Sequence, residues 1–168
     1  MEGYVLPATA KLVTLAEITS RFFVTNLGVL CLRFDLGTSA NGDIGLVRLD
    51  GSWQSEAIGA TRARQHNRYI EVEGTVPHVN AKSMEWKMTD LADVGSLVLD
   101  EKGIWIVAKH YDQSGEKLLV NVITGAKAWP GTDHASVITS WVIDASVGDL
   151  KTFEIGAHTV PPQAAADI

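Results

Sequence analysis

Residues 96–125 read SLVLDEKGIWIVAKHYDQSGEKLLVNVITG, and this stretch decides the fold. Apolar runs alternate in it with clusters of turn formers. Ser96 to Leu99 leads into Asp100-Glu101-Lys102-Gly103, a tight hairpin turn. Ile104 to Tyr111 follows, rich in β-branched and aromatic residues. Asp112-Gln113-Ser114-Gly115 then turns the chain into Lys117 to Ile123, and Thr124-Gly125 ends that run. Each run has the length of a strand, and nothing between them is long enough to be a crossover helix. Side chains two apart share a face, so Ile104, Ile106, Ala108 and His110 lie opposite Trp105, Val107 and Tyr111. Both faces of this run are largely apolar. It is either central in the fold or part of a subunit contact.

The same period of two extends outward. Leu30, Leu32, Phe34 and Leu36 share one face, with Cys31, Arg33 and Asp35 on the other. Asn41-Gly42 turns toward Ile44 to Leu49, and Asp50-Gly51 turns again toward Ser52 to Ile58. Arg68 to Glu73 alternates, and Met84, Trp86 and Met88 alternate with Ser83, Glu85 and Lys87. Further on, Val137, Thr139, Trp141 and Ile143 share a face, and Lys151 to Ile155 makes a last strand. Trp86 and Trp141 are expected in the core. The one helical candidate is Thr14 to Arg21, read as either a short helix or an ordered arm, where Thr14 can cap with Glu17 completing a capping box. Turn signals recur about every 8–12 residues. The expectation is an all-β fold, mainly an antiparallel barrel or sandwich, with at most one or two short helices near the N-terminus. Residues 1–160 form a single β-rich domain in this reading. Its alternative is two sub-barrels meeting near 74–81, where Pro77 marks the best boundary. Residues 161–168, with Pro161 and Pro162, are expected to form a flexible C-terminal arm.

Composition narrows the function. The 168 residues carry a formal net charge of −6, with a pI near 5.3. That balance argues against a general nucleic-acid binder, which needs clustered Lys and Arg to neutralise phosphate. Apolar residues make up 46% and charged residues 20%, and mean hydropathy is +0.09. This is high for a small solvated monomer. Either apolar surface is buried between subunits, or the monomer is unusually well filled. Cys31 is the only cysteine, which excludes an internal disulfide and a cysteine zinc cage. Its place in the apolar run Val29 to Leu32 predicts a buried, inert thiol. No stretch reaches the length of a membrane span, and the first residues lack a secretory signal pattern. A soluble intracellular protein is the expectation, particles assembled inside a cell included.

The sharpest local signal is basic. Arg62, Arg64, His66 and Arg68 place cationic groups at every second residue. The stripe is either an anion site or acidic-partner surface, or a solvated strand face. Trp53, after the Asp50-Gly51-Ser52 turn, suits partner docking or covers a barrel end. Trp105 joins these as a candidate partner contact. The histidines fall in no zinc spacing, and no nucleophile elbow or phosphate loop occurs. Neither a cofactor nor a metal is expected. An alternative function gathers Arg62, Arg64, His66, His110 and Asp133 at a barrel mouth, in a small enzyme or a binding module for an anionic molecule.

Val94-Gly95-Ser96-Leu97-Val98-Leu99, Gly103-Ile104-Trp105-Ile106-Val107 and Val120-Asn121-Val122-Ile123-Thr124-Gly125 resemble small β-barrel modules of tailed-phage proteins. The resemblance implies a non-enzymatic virion component of the head-decoration or cement type. Such proteins are often homo-oligomers whose terminal arms lie on neighbours within a larger protein assembly. The Tyr4 to Pro7 arm and the proline-rich tail are compatible with that.

Overall fold

The computed structural model describes residues 11–14, 17, 22–25, 30–35, 44–49, 56–59, 68–71, 75–110, 116–147 and 151–159. In chain order the strands are β1 (Lys11–Thr14), β2 (Phe22–Thr25), β3 (Leu30–Asp35), β4 (Ile44–Arg48), β5 (Glu56–Gly59), β6 (Arg68–Glu71), β7 (Thr75–Val79) and β8 (Met84–Met88). They continue as β9 (Leu97–Asp100), β10 (Gly103–His110), β11 (Lys117–Asn121), β12 (Lys127–Ala128), β13 (His134–Ile138), β14 (Ser140–Val147) and β15 (Lys151–Thr159). Two 3-10 turns, Ala81–Ser83 and Thr89–Leu91, flank β8. No helix among the described residues is long and apolar enough to cross a membrane.

The protein is all-β and mainly antiparallel. The large sheet runs β1-β6-β2-β3-β4-β5-β10-β9-β13-β8, with β11 on the other edge of β10 and β12 beyond it. A small sheet has the order β15-β14-β7. Strands β1 and β8 end the long path without pairing to each other, so the described strands make an open sheet faced by a second one. One junction is parallel: β5 meets the end of β10 at Lys109↔Glu56 and His110↔Ala57. The first half of that same edge is taken by β9, from Gly103↔Asp100 to Ile106↔Leu97. Strand β10 therefore joins the N-terminal strands to the C-terminal ones.

Burial explains why β10 reads as apolar on both sides. Ile106 and Ala108 enter the main core with Leu32, Phe34, Val47, Leu97, Leu118, Val120, Ile138, Trp141 and Ile143. Trp105 and Val107 enter a second core with Ala92, Val98, Leu119, Ala135 and Val137. A third core holds Phe23, Cys31, Ile44, Leu46 and Tyr69, with the Phe23 and Tyr69 rings edge-on at 5.2 Å. Burial pushes the Cys31 thiol up to about 12, against a smaller opposing pull from Arg48. The thiolate is therefore scarce at neutral pH. Opposite β3, Gly45 leaves room for the fully buried Phe34 ring, which a Cβ at 45 would overlap.

These contacts bear on several expectations. Thr14 closes β1 and Glu17 lies in a 3-10 turn, while the rest of the helical candidate lies outside the described residues. The capping pair still forms, with the Thr14 amide and hydroxyl both donating to Glu17 Oε2 at 2.7 Å. Within the candidate boundary at 74–81, residues 75–79 form β7 and pair with β14 from Trp141↔Val79 to Ala145↔Thr75. Pro77 is tolerated there because β7 is an edge strand, where a missing N–H leaves no ladder bond unmade. The shared face of Val137, Thr139, Trp141 and Ile143 breaks at Thr139. There the chain leaves the large sheet for the small one, so Val137 and Trp141 enter different cores. Ser83 and Asn80 hold the crossing: Ser140 N donates to Ser83 Oγ at 3.0 Å, and Asn80 N to Ser140 O at 2.9 Å. The proline-rich tail at 161–168 lies outside the described residues.

Candidate functional site

Trp86 is the strongest departure from expectation. Its strand alternates as predicted, but β8 is the last strand of the large sheet and its indole is 71% exposed. Pairing with β13 sets Trp86 opposite Ser136 and Met88 opposite His134. Pairing of β13 with β9 sets Ser136 opposite Leu99. Directly paired residues share a face, so Trp86, Ser136 and Leu99 stand in a row across three strands. The Trp86 and His134 rings stack, with centroids 6.3 Å apart and planes at 24°. Met84 and Leu99 are partly exposed beside them. An open groove of about 630 Å³ lies here, with Trp86, Leu99 and Ala135 as its apolar part and His134 beside them. The Asp100–Lys102 turn and Asp133 bring charge to its rim.

Each wall is fixed by local chemistry. In the hairpin turn, Asp100 Oδ1 accepts from Lys102 N at 2.8 Å and from Trp105 Nε1 at 2.9 Å. Gly103, at φ +132°, adopts a backbone that an L side chain rarely takes. The loop carrying Trp129 and Asp133 is pinned by buried Thr89. Its hydroxyl donates to Gly131 O at 3.0 Å and accepts from Gly131 N at 2.8 Å, while Thr89 N donates to Asp133 O at 3.0 Å. Lys117 Nζ ties down the turn after β8, donating to Asp90 O at 2.8 Å and Ala92 O at 2.6 Å.

The residues singled out in the sequence fare differently. Trp105 is 7% exposed and hydrogen-bonded to Asp100, so the chain's own core takes up the indole offered as a partner contact. His110 ends its strand and stacks on Trp129 at 6.2 Å, with Nδ1 buried and making no hydrogen bond. Asp133 lines the Trp86 groove, and His110 does not. Arg68 opens β6 opposite Thr14. Arg62, Arg64, His66 and Trp53 lie outside the described residues. Among the described residues, no group of three or more His, Cys, Asp or Glu side chains is placed to hold a metal ion. The alternation of 84, 86 and 88 shows which residues share a face. That this face is bare follows only from the position of β8 in the sheet, which no spacing in the sequence carries.

No protein-family model matches this chain, and no curated protein or solved structure gives a match.

Proposed function

We propose that this protein is a non-enzymatic structural protein that acts by assembling with copies of itself. The observation that carries this reading is Trp86, 71% exposed on the terminal strand of the large sheet and flanked by exposed Met84 and Leu99. A large apolar ring held in water beside an open strand edge favours a surface that a protein partner covers. The high mean hydropathy of +0.09 supports the same reading. Within this class, a head-decoration or cement role on a phage capsid is favoured by the resemblance of residues 94–125 to phage β-barrel modules. Light scattering on the purified protein tests the assembly reading: it expects a mass above 18.1 kDa that grows with concentration. A strict monomer up to about 1 mM overturns it. Adding the protein to capsids stripped of their decoration tests the finer role, with saturable binding expected and no binding refuting it.

A further inference from the structure

The edge of β8 carries a pattern that matches itself. Its sequence is Met84-Glu85-Trp86-Lys87-Met88. Read backward, an apolar end, a charge, Trp86, the opposite charge and an apolar end recur. Strand β8 pairs only with β13 among the described strands. The flanking bonds show which way its backbone points. Thr89 N donates to Asp133 O, and Thr139 N approaches Ser83 O at 3.5 Å. Positions 83, 85, 87 and 89 therefore turn their peptide groups toward β13. Because these groups alternate along a strand, 84, 86 and 88 turn theirs to the open edge, except that the Met84 N–H is taken by Ala81 O in the preceding 3-10 turn.

We propose that β8 is a homodimer interface, in which the β8 strands of two copies pair antiparallel about a twofold axis through Trp86. The proposal rests on the self-assembly reading above and names its contact. In this register Trp86 opposes Trp86 of the second copy, and Met84 opposes Met88 of the second copy. The Met84 N–H is already bonded to Ala81 O, so the pairing makes about four backbone hydrogen bonds, two between the Trp86 residues and two from Met88 N–H to Met84 O. Glu85 opposes Lys87 of the second copy, and Lys87 its Glu85, which completes two opposite-charge cross-strand pairs. Within one chain these two side chains already meet at 3.2 Å, and Glu85 is 64% exposed. An isologous interface requires self-complementarity of this kind, since each patch must meet its own copy. A register moved by two residues shortens the ladder and breaks the charge match. One strand edge is small against a standard interface, so dissociation in the range of about 10–100 µM is expected.

Charge reversal in sedimentation velocity tests the register. Glu85→Lys alone sets the introduced lysine against Lys87 of the second copy. Lys87→Glu alone sets the introduced glutamate against Glu85 of the second copy. Each is expected to weaken dimerisation about tenfold, because the twofold axis repeats every change. The double exchange E85K/K87E restores the wild-type constant to within about threefold. Cysteine cross-linking gives a second measurement. Trp86→Cys places two thiols on directly opposed positions, about 5.5 Å between Cα atoms, and forms a covalent dimer on oxidation. Met84→Cys, whose symmetry mate lies several residues away along the strand, does not. Wild-type association that is indifferent to both single reversals, with W86C failing to cross-link, overturns the β8 interface and leaves the assembly reading standing. A wild-type chain that never associates overturns both.

Discussion

Trp141→Phe separates a core tryptophan from one that only looks like it. Trp141 is 4% exposed and sits on β14 of the small sheet. Its Nε1–H donates to Gly95 O at 2.9 Å, across to the turn that precedes β9 of the large sheet. Phenylalanine keeps the aromatic packing but loses this bond. The Gly95 carbonyl is then left buried without that donor, at a cost of about 1–3 kcal/mol. The smaller ring also leaves a void among Leu97, Ile138 and Ile143, its neighbours in the main core. At about 24 cal/mol per Å³ of residual cavity, a void of about 40 Å³ adds about 1 kcal/mol. The total is about 2–4 kcal/mol. With a urea slope of about 2 kcal/mol/M, the midpoint falls by about 1–2 M. Far-ultraviolet circular dichroism follows the transition without depending on the other four tryptophans. The matched control is Trp86→Phe, at 71% exposure, which is expected to move stability by less than about 0.5 kcal/mol at concentrations where the chain is monomeric. If W141F unfolds with the wild-type midpoint, or if W86F falls as far as W141F, the assignment of these two indoles is wrong.

Other substitutions probe the supports of the fold. Gly45→Ala puts a methyl group into the Phe34 ring, which is 1% exposed and cannot swing away. Thermal melts are expected to show a loss of about 1–3 kcal/mol, partly recovered by Phe34→Leu in the same chain. Asn121→Ala removes the Oδ1 that accepts from Ile123 N and Thr124 N, both at 2.9 Å. Hydrogen exchange at those two amides should quicken at least about tenfold, with global stability falling by about 1–2 kcal/mol. Cys31 supplies a pH dependence. Its thiol is raised from 9.0 to about 12 in the folded chain, so the unfolded chain loses its proton first. The contribution is complete below pH 9.0 and is lost as pH climbs from there toward about 12, by up to about 1.4 kcal/mol per pH unit. Cys31→Ala removes this alkaline term. Wild-type and variant denaturation curves should therefore converge as pH rises from about 8 to about 11, and a constant gap between them refutes the burial argument.

What the amino-acid sequence determined alone is local. The hairpin at Asp100 to Gly103, the return of Ile44 to Arg48 against β3, and the doubly apolar β10 all follow from turn chemistry and a period of two. These signals act over a few residues, so the sequence carries them whole. The buried thiol at Cys31 was legible for the same reason, from its apolar neighbours. Tertiary structure decided which apolar faces are covered. Trp86 and Trp141 sit in equally alternating strands, yet one is at the open edge and the other between two sheets. Thr139 shifts the chain from one sheet to another and reverses which residues meet. Pro77, within the candidate boundary near 74–81, lies in the edge strand β7. Alternation assigns side chains to a face of their own strand, whereas burial depends on which distant strand is laid against that face. That pairing is a property of the whole chain's packing, and it is what leaves β8 bare.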